Sequence, residues 1–384
     1  MKRTVMLILA LVLVFGAVGA ASAADTIRIG LLAPLTGYAA ADGLAVLQSV
    51  KLAVDQVNAK GGVLGKQIEL FYEDDAGEAK EAIGLARKLV QMDKVVAVVG
   101  GSYSMPTRAV APLFQEFEIP LVAGYAVHPD ITAAGDFCFR NGFLGTVEGR
   151  GAGVAAVDML KAKTVGMLTM DNDFGRQMAE GFKSYVVSKG AKVVYSQVYP
   201  LGEKDLMPYL TAVKEADPDV ILASGYYAEA AGIVKQAHEI KLRTQIIGEE
   251  GYDSPKFIEL AGPEAANGTI IVTNLDRDDE RPVAQAYIKE YRERYGMEPD
   301  MTGASNYDAF LIIVDGIRRA GTTDPHKVKD AIAALKDFDG VTGVIKGFTE
   351  IGEVIKPVQV QIVKDGVFRR YGIVDDPEVI DPRK

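Results

Sequence analysis

Short apolar runs alternate along this chain with longer segments in which apolar residues return at helical spacing. The pattern predicts strands over residues 26–32, 67–72, 95–99 and 121–123, separated by helices over 43–59, 78–91 and 105–117. A second series follows, with helices over 144–160, 174–189, 205–215 and 228–241 and strands over 164–169, 192–199, 220–223, 245–247 and 270–273. Beyond Asn274 the order changes. Helices are predicted over 283–295, 301–320 and 326–335, then strands over 343–348, 358–363 and 367–371. Strands that alternate with helices form parallel sheets covered by helices on both faces, so the class is α/β. No low-complexity stretch or Gly/Ser linker interrupts either series.

The N-terminus lies outside this pattern. Lys2 and Arg3 precede a run from Thr4 to Ala20 with almost no polar side chain, and Ala21-Ser22-Ala23 supplies the small residues of a cleavage site. Residues 1–23 read as a secretory signal cut after Ala23, which places the mature protein in the periplasm. A membrane anchor is the alternative. The run is near the lower limit of a span, about 17–25 residues, and the cleavage site follows at once. No cysteine near the cut offers a lipid attachment point.

Cleavage leaves 361 of the 384 residues, more than one core usually organises, so two lobes are expected. The formal charge moves from −10 to −12 when Lys2 and Arg3 are lost, which gives no general attraction for nucleic acid. Cys138 is the only cysteine, so no internal disulfide can form, and its neighbours Phe137 and Phe139 suggest a buried strand. His128, His238 and His326 stand far apart and without metal-ligand spacing, so neither a metal nor a cofactor is expected.

Two sheets facing one another make the cleft between them the default site, beyond the carboxyl ends of the strands. Ser104 precedes a helix opened by Met105 and Pro106 and offers a hydroxyl beside free backbone N–H groups, a fit for a carboxylate; an ordinary N-cap is the plainer reading. Enzyme signatures are weak. Gly151-x-Gly153-x-x-Ala156 matches a dinucleotide pattern but lies within a predicted helix, where small residues serve close packing. No nucleophile elbow is present, and no catalysis is expected.

Several segments, in order and spacing, resemble one family: IRIGLLAPLTG (27–37), VNAKGGVLGKQIEL (57–70), YEDDAGEAKEA (72–82), VVGGSYS (98–104), IPLVAG (119–124), DNDFGR (171–176), GYYAEAAGIVKQA (225–237), GEEGYDSP (248–255) and NYDAFLI (306–312). The chain resembles the leucine/isoleucine/valine-binding proteins, the type I periplasmic binding proteins of branched-chain amino acid ABC importers. The resemblance implies two Rossmann-like lobes that close like a flytrap, joined by three crossovers near 142–145, 273–276 and 354–356. The lobes would comprise 24–143 with 276–354, and 144–275 with 355–384. It also implies a monomer that binds a branched-chain or other apolar amino acid and delivers it to a membrane permease. An aromatic carboxylate or amide as ligand, and a sensing rather than a transport role, are the alternatives.

By the same resemblance Ser104 would take the ligand carboxylate, with the turn Tyr125, Ala126 and Val127 adding backbone contacts. Val127 replaces a threonine that relatives use, so its hydroxyl is lost. Glu250 would take the ammonium group, Tyr226 would contact the ligand, and Phe174 would cover its side chain. Asp42 stands where some relatives place an aromatic residue. Gly77 and Tyr103 occupy positions that many relatives join by a disulfide.

Overall fold

The computed structural model describes residues 26–384. The signal expected over residues 1–23 and its cleavage after Ala23 lie outside the described residues. The first sheet contains β1 (Ile27–Ala33), β2 (Ile68–Asp74), β3 (Ala97–Gly100), β4 (Leu121–Ala123) and β5 (Cys138–Arg140) in the order β2-β1-β3-β4-β5, all parallel. Consecutive residues of β1 and β3 bury on opposite faces. Ile29, Leu31 and Val99 join one apolar cluster, and Leu32 and Val98 another. A strand covered on both sides must be apolar at nearly every position, which explains the unbroken runs in the sequence.

The chain then builds β6 (Thr164–Met170), β7 (Lys192–Tyr199), β8 (Val220–Ala223), β9 (Gln245–Gly248) and β10 (Ile270–Thr273). Helices Pro282–Tyr295 and Met301–Ala320 return to the first sheet, where Tyr287, Phe310 and Ile313 bury with Ile29 and Val50. Next come β11 (Lys336–Gly340), β12 (Gly343–Phe348) and β13 (Val354–Ile355), a small antiparallel sheet. Finally β14 (Val358–Lys364) and β15 (Val367–Val374) close a seven-stranded sheet of order β15-β14-β10-β9-β8-β6-β7. Its core is parallel, and its β14 and β15 edge is antiparallel.

β11 and β13 were not anticipated: Lys336–Gly340 is mostly polar, and Val354–Ile355 is two residues long. The helix expected over 144–160 is α-helical only at Gly145–Gly153 and continues as a wider π-helical segment, Val154–Met159. Its glycines serve packing. A Cβ on Gly151 would approach a Val358 methyl at 2.9 Å, one on Gly153 the Tyr185 ring at 2.8 Å, and one on Gly149 the Met178 carbonyl oxygen at 2.3 Å. The dinucleotide-like pattern is therefore a contact surface against β14 and helix Asp173–Ser188.

Cys138 lies in β5, fully buried, with its thiol donating to the Ala111 carbonyl at 3.4 Å. Burial pushes the thiol up to about 12. The thermal midpoint should therefore be the same with and without reductant, and the native protein should resist alkylation until it unfolds. A large reductant-dependent shift in a melting scan would contradict this.

Candidate functional site

Six loops converge between the two sheets, each following the carboxyl end of a parallel strand: β1, β3 and β4 of the first sheet and β6, β8 and β9 of the second. Together with the start of helix Met301–Ala320 they line one cavity. Ser104, Tyr125, Ala126, Val127, Phe174, Tyr226 and Glu250 all border it. So do Asp42 and Tyr103, as well as Gly251, Asp253, Ser254, Met301 and Thr302.

Ser104 is the first residue of helix Ser104–Glu116, not its N-cap; Tyr103 holds the cap position and makes no side-chain cap bond. The Ser104 hydroxyl reaches across to the turn after β4, where Oγ accepts from the Val127 N–H at 3.0 Å. Its own hydrogen remains available to the cavity, as do the first N–H groups of a helix, which have no intrahelical acceptor. The turn is fixed from behind. Arg140 donates to the carbonyls of Ala126 and His128, and the Val127 carbonyl accepts from Gly145 N–H at 3.2 Å. Both backbone groups of Val127 are thus occupied within the protein.

Aromatic rings from both sheets meet at the cavity wall. Tyr103 stacks on Tyr226 with centroids 4.3 Å apart and planes 3° from parallel, and Phe174 also stacks with Tyr226, at 5.6 Å. Tyr125 meets Tyr103 edge-on at 5.7 Å. Asn172 positions this wall: its side chain accepts from Gly175 N–H as the cap of helix Asp173–Ser188 and donates to the Tyr226 hydroxyl at 3.1 Å. Two polar contacts close the mouth, Arg108 with Asp173 at 3.0 Å and the Tyr227 hydroxyl with the Tyr38 carbonyl at 2.8 Å.

Glu250 follows β9 and is almost completely buried. One carboxyl oxygen accepts from Asn274 Nδ2 at 3.0 Å, and its backbone N–H donates to Glu148 at 2.9 Å. Burial and the neighbouring Glu148 raise its carboxyl well above the ordinary range, while Lys356 and Arg140 act the other way. A carboxylate in this position gains from a cationic partner. Asp253 also borders the cavity but is committed elsewhere, to Arg277, to the Thr273 hydroxyl at 2.5 Å and to Gln361 at 3.3 Å.

Sequence reasoning missed Asp253, Met301 and Thr302 as lining residues. Asp253 lies inside the GEEGYDSP segment and was within reach of the same reasoning as Glu250. Nothing in the sequence links the start of a helix at 301 to the first turn of another at 42.

Burial raises the Asp42 carboxyl to about 7, and burial followed by the Asp42 charge raises Asp300 to about 8, both from 3.8. The folded state therefore keeps protons that the unfolded chain releases above about pH 4. Stability without ligand should fall as pH rises from about 4 to about 8, and Asp42→Asn should flatten the profile. Urea midpoints at pH 5 and pH 8 measure this; a midpoint that rises between them would contradict it.

A family model described as periplasmic binding protein matches residues 26–367. The leucine-, isoleucine-, valine-, threonine-, and alanine-binding protein of Pseudomonas aeruginosa is 30% identical over 334 residues, 86% of this chain and 88% of that one. The crystal structure of a leucine-binding protein from Thermotoga maritima superposes with a TM-score of 0.84 at 30% identity, covering 92% of this chain and 100% of that one. A branched-chain amino acid transporter substrate-binding protein from Streptococcus pneumoniae, solved with isoleucine, gives a TM-score of 0.84 at 29% identity over 91% of this chain and 99% of that one.

Proposed function

The chain belongs to the periplasmic binding protein family, a family of binding proteins and not of enzymes, and from that membership we propose that it captures an α-amino acid, branched-chain or otherwise apolar, for an ABC importer. The single observation that supports this most is the cavity's polarity. Helix-end N–H groups and the Ser104 hydroxyl border it from the first sheet, and the buried Glu250 carboxylate borders it from the second. An amino-acid zwitterion matches that arrangement, its carboxylate toward the helix N-terminus and its ammonium toward Glu250. The aromatic wall of Tyr226 and Phe174 then covers an apolar side chain.

A ligand that touches both lobes, 24–143 with 276–354 and 144–275 with 355–384, favours the closed form by its differential affinity. The closed monomer presents a surface to the membrane permease, in the periplasm, after the signal has been removed following Ala23.

The purified protein should melt at a higher temperature with leucine, isoleucine or valine, and calorimetry should give one site per chain. Loss of the gene should reduce uptake of labelled leucine. A melting shift with benzoate and with no α-amino acid would overturn the ligand class.

A further inference from the structure

Asp42 lies in the first turn of helix Ala40–Ala59, is 5% exposed and borders the cavity. Its Oδ2 accepts from the Tyr103 hydroxyl at 2.5 Å. Its Oδ1 accepts no hydrogen bond from the described residues. Of the three carboxylates at the cavity, Asp253 is saturated by Arg277, Thr273 and Gln361. Glu250 and Asp42 each hold one oxygen to a protein donor and keep another open. An α-amino acid carries one ammonium group, which the reading above assigns to Glu250. An aliphatic side chain would then leave the open oxygen of Asp42 sealed from water without a donor, a costly arrangement for a buried acceptor.

We propose that Asp42 is a specificity residue: the cavity selects an α-amino acid whose side chain bears an O–H or N–H donor over the aliphatic isostere of the same shape. Threonine against valine is the simplest such pair, and lysine against norleucine the longer one. The inference rests on the α-amino-acid reading of the cavity and departs from its apolar side chain, which becomes the weaker-binding alternative. A site built to hydrogen-bond a ligand group rejects the analogue that lacks it more strongly than an apolar pocket rejects a polar isostere.

Isothermal titration of the purified protein with threonine, valine, lysine, norleucine, tyrosine and phenylalanine tests this in the wild type and in Asp42→Asn. In the variant the amide oxygen still accepts from Tyr103, so the wall is kept, while the amide nitrogen now faces the cavity as a donor. The expected result is a preference of about tenfold or more for lysine over norleucine, lost in Asp42→Asn, because an ammonium group, unlike the hydroxyls of threonine and tyrosine, cannot accept from the amide N–H. A role confined to holding Tyr103 predicts an unchanged lysine preference in the variant, which overturns the proposal. Amino acids that bind with the aliphatic member equal or tighter in every pair overturn it while leaving the amino-acid reading intact. If no amino acid binds the wild type, both fall.

Discussion

Replacing Glu250 with glutamine should weaken amino-acid binding by about one to two orders of magnitude, the equivalent of the 1.5–3 kcal/mol attributed to a charge-assisted hydrogen bond. Glutamine keeps the shape and the acceptor for Asn274 Nδ2 but cannot neutralise an ammonium group. The fold should not suffer. Glu250 is buried beside Glu148, whose charge is among the causes that raise the Glu250 carboxyl. Removing one of two interacting acids relieves that repulsion, so the variant should melt at the same or a higher temperature without ligand. Glu250→Ala should lose binding at least as completely, and it also leaves the Asn274 amide without its acceptor. Calorimetry and melting scans of both variants provide the measurement. Wild-type affinity in Glu250→Gln would remove Glu250 from the ligand site.

The second large effect concerns stability. Arg140 is fully buried at the end of β5, where its Nε donates to Glu353 at 2.8 Å and its Nη2 reaches the other carboxyl oxygen at 3.0 Å. The same guanidinium donates to the carbonyls of Ala126 and His128, and the Thr132 hydroxyl donates to Glu353 at 2.5 Å. One side chain thus ties the turn that borders the cavity to the segment that leads into β13. Arg140→Met should cost about 3–5 kcal/mol, because it leaves the buried Glu353 charge without its cationic partner and the Ala126 carbonyl without its donor. Arg140→Met with Glu353→Gln should recover a large part of that loss, since most of the cost is the uncompensated charge and not the missing attraction. The single variant should also bind ligand more weakly, since the turn from Ala126 to His128 loses its support. Urea unfolding of the wild type and both variants decides the matter, and an unchanged midpoint in Arg140→Met would show the pair to be dispensable.

The lobes, their strands and most helices follow from local pattern. Strands such as Lys192–Tyr199 and Val220–Ala223, and helix Met301–Ala320, have the bounds that periodicity indicates. In each, the apolar spacing matches one regular backbone geometry, and no distant residue is needed to choose it. The short strands Lys336–Gly340 and Val354–Ile355 carry no such signal, since they form only where a partner strand is already present. The site divides along the same line. Ser104, Tyr125, Phe174, Tyr226 and Glu250 all lie within a few residues of predicted strand ends, but apart from Ser104 only the family resemblance singles them out. Whether Ser104 caps its own helix or bonds the Val127 amide depends on a loop 23 residues away.

What the sequence determines by itself is periodic and near in the chain: an α/β class, two series of strands, and loops at the carboxyl ends of those strands that can carry a ligand. What only the tertiary structure decides is which charges share a buried space. Asp42 meets Tyr103, Arg140 meets Glu353 across 213 residues, and Asp253, Arg277 and Gln361 form one network. Hydrophobic spacing is set by helix and strand geometry and can be read one segment at a time. The energy of a buried charge depends on every group within a few ångströms, and those groups become neighbours only when the chain has folded.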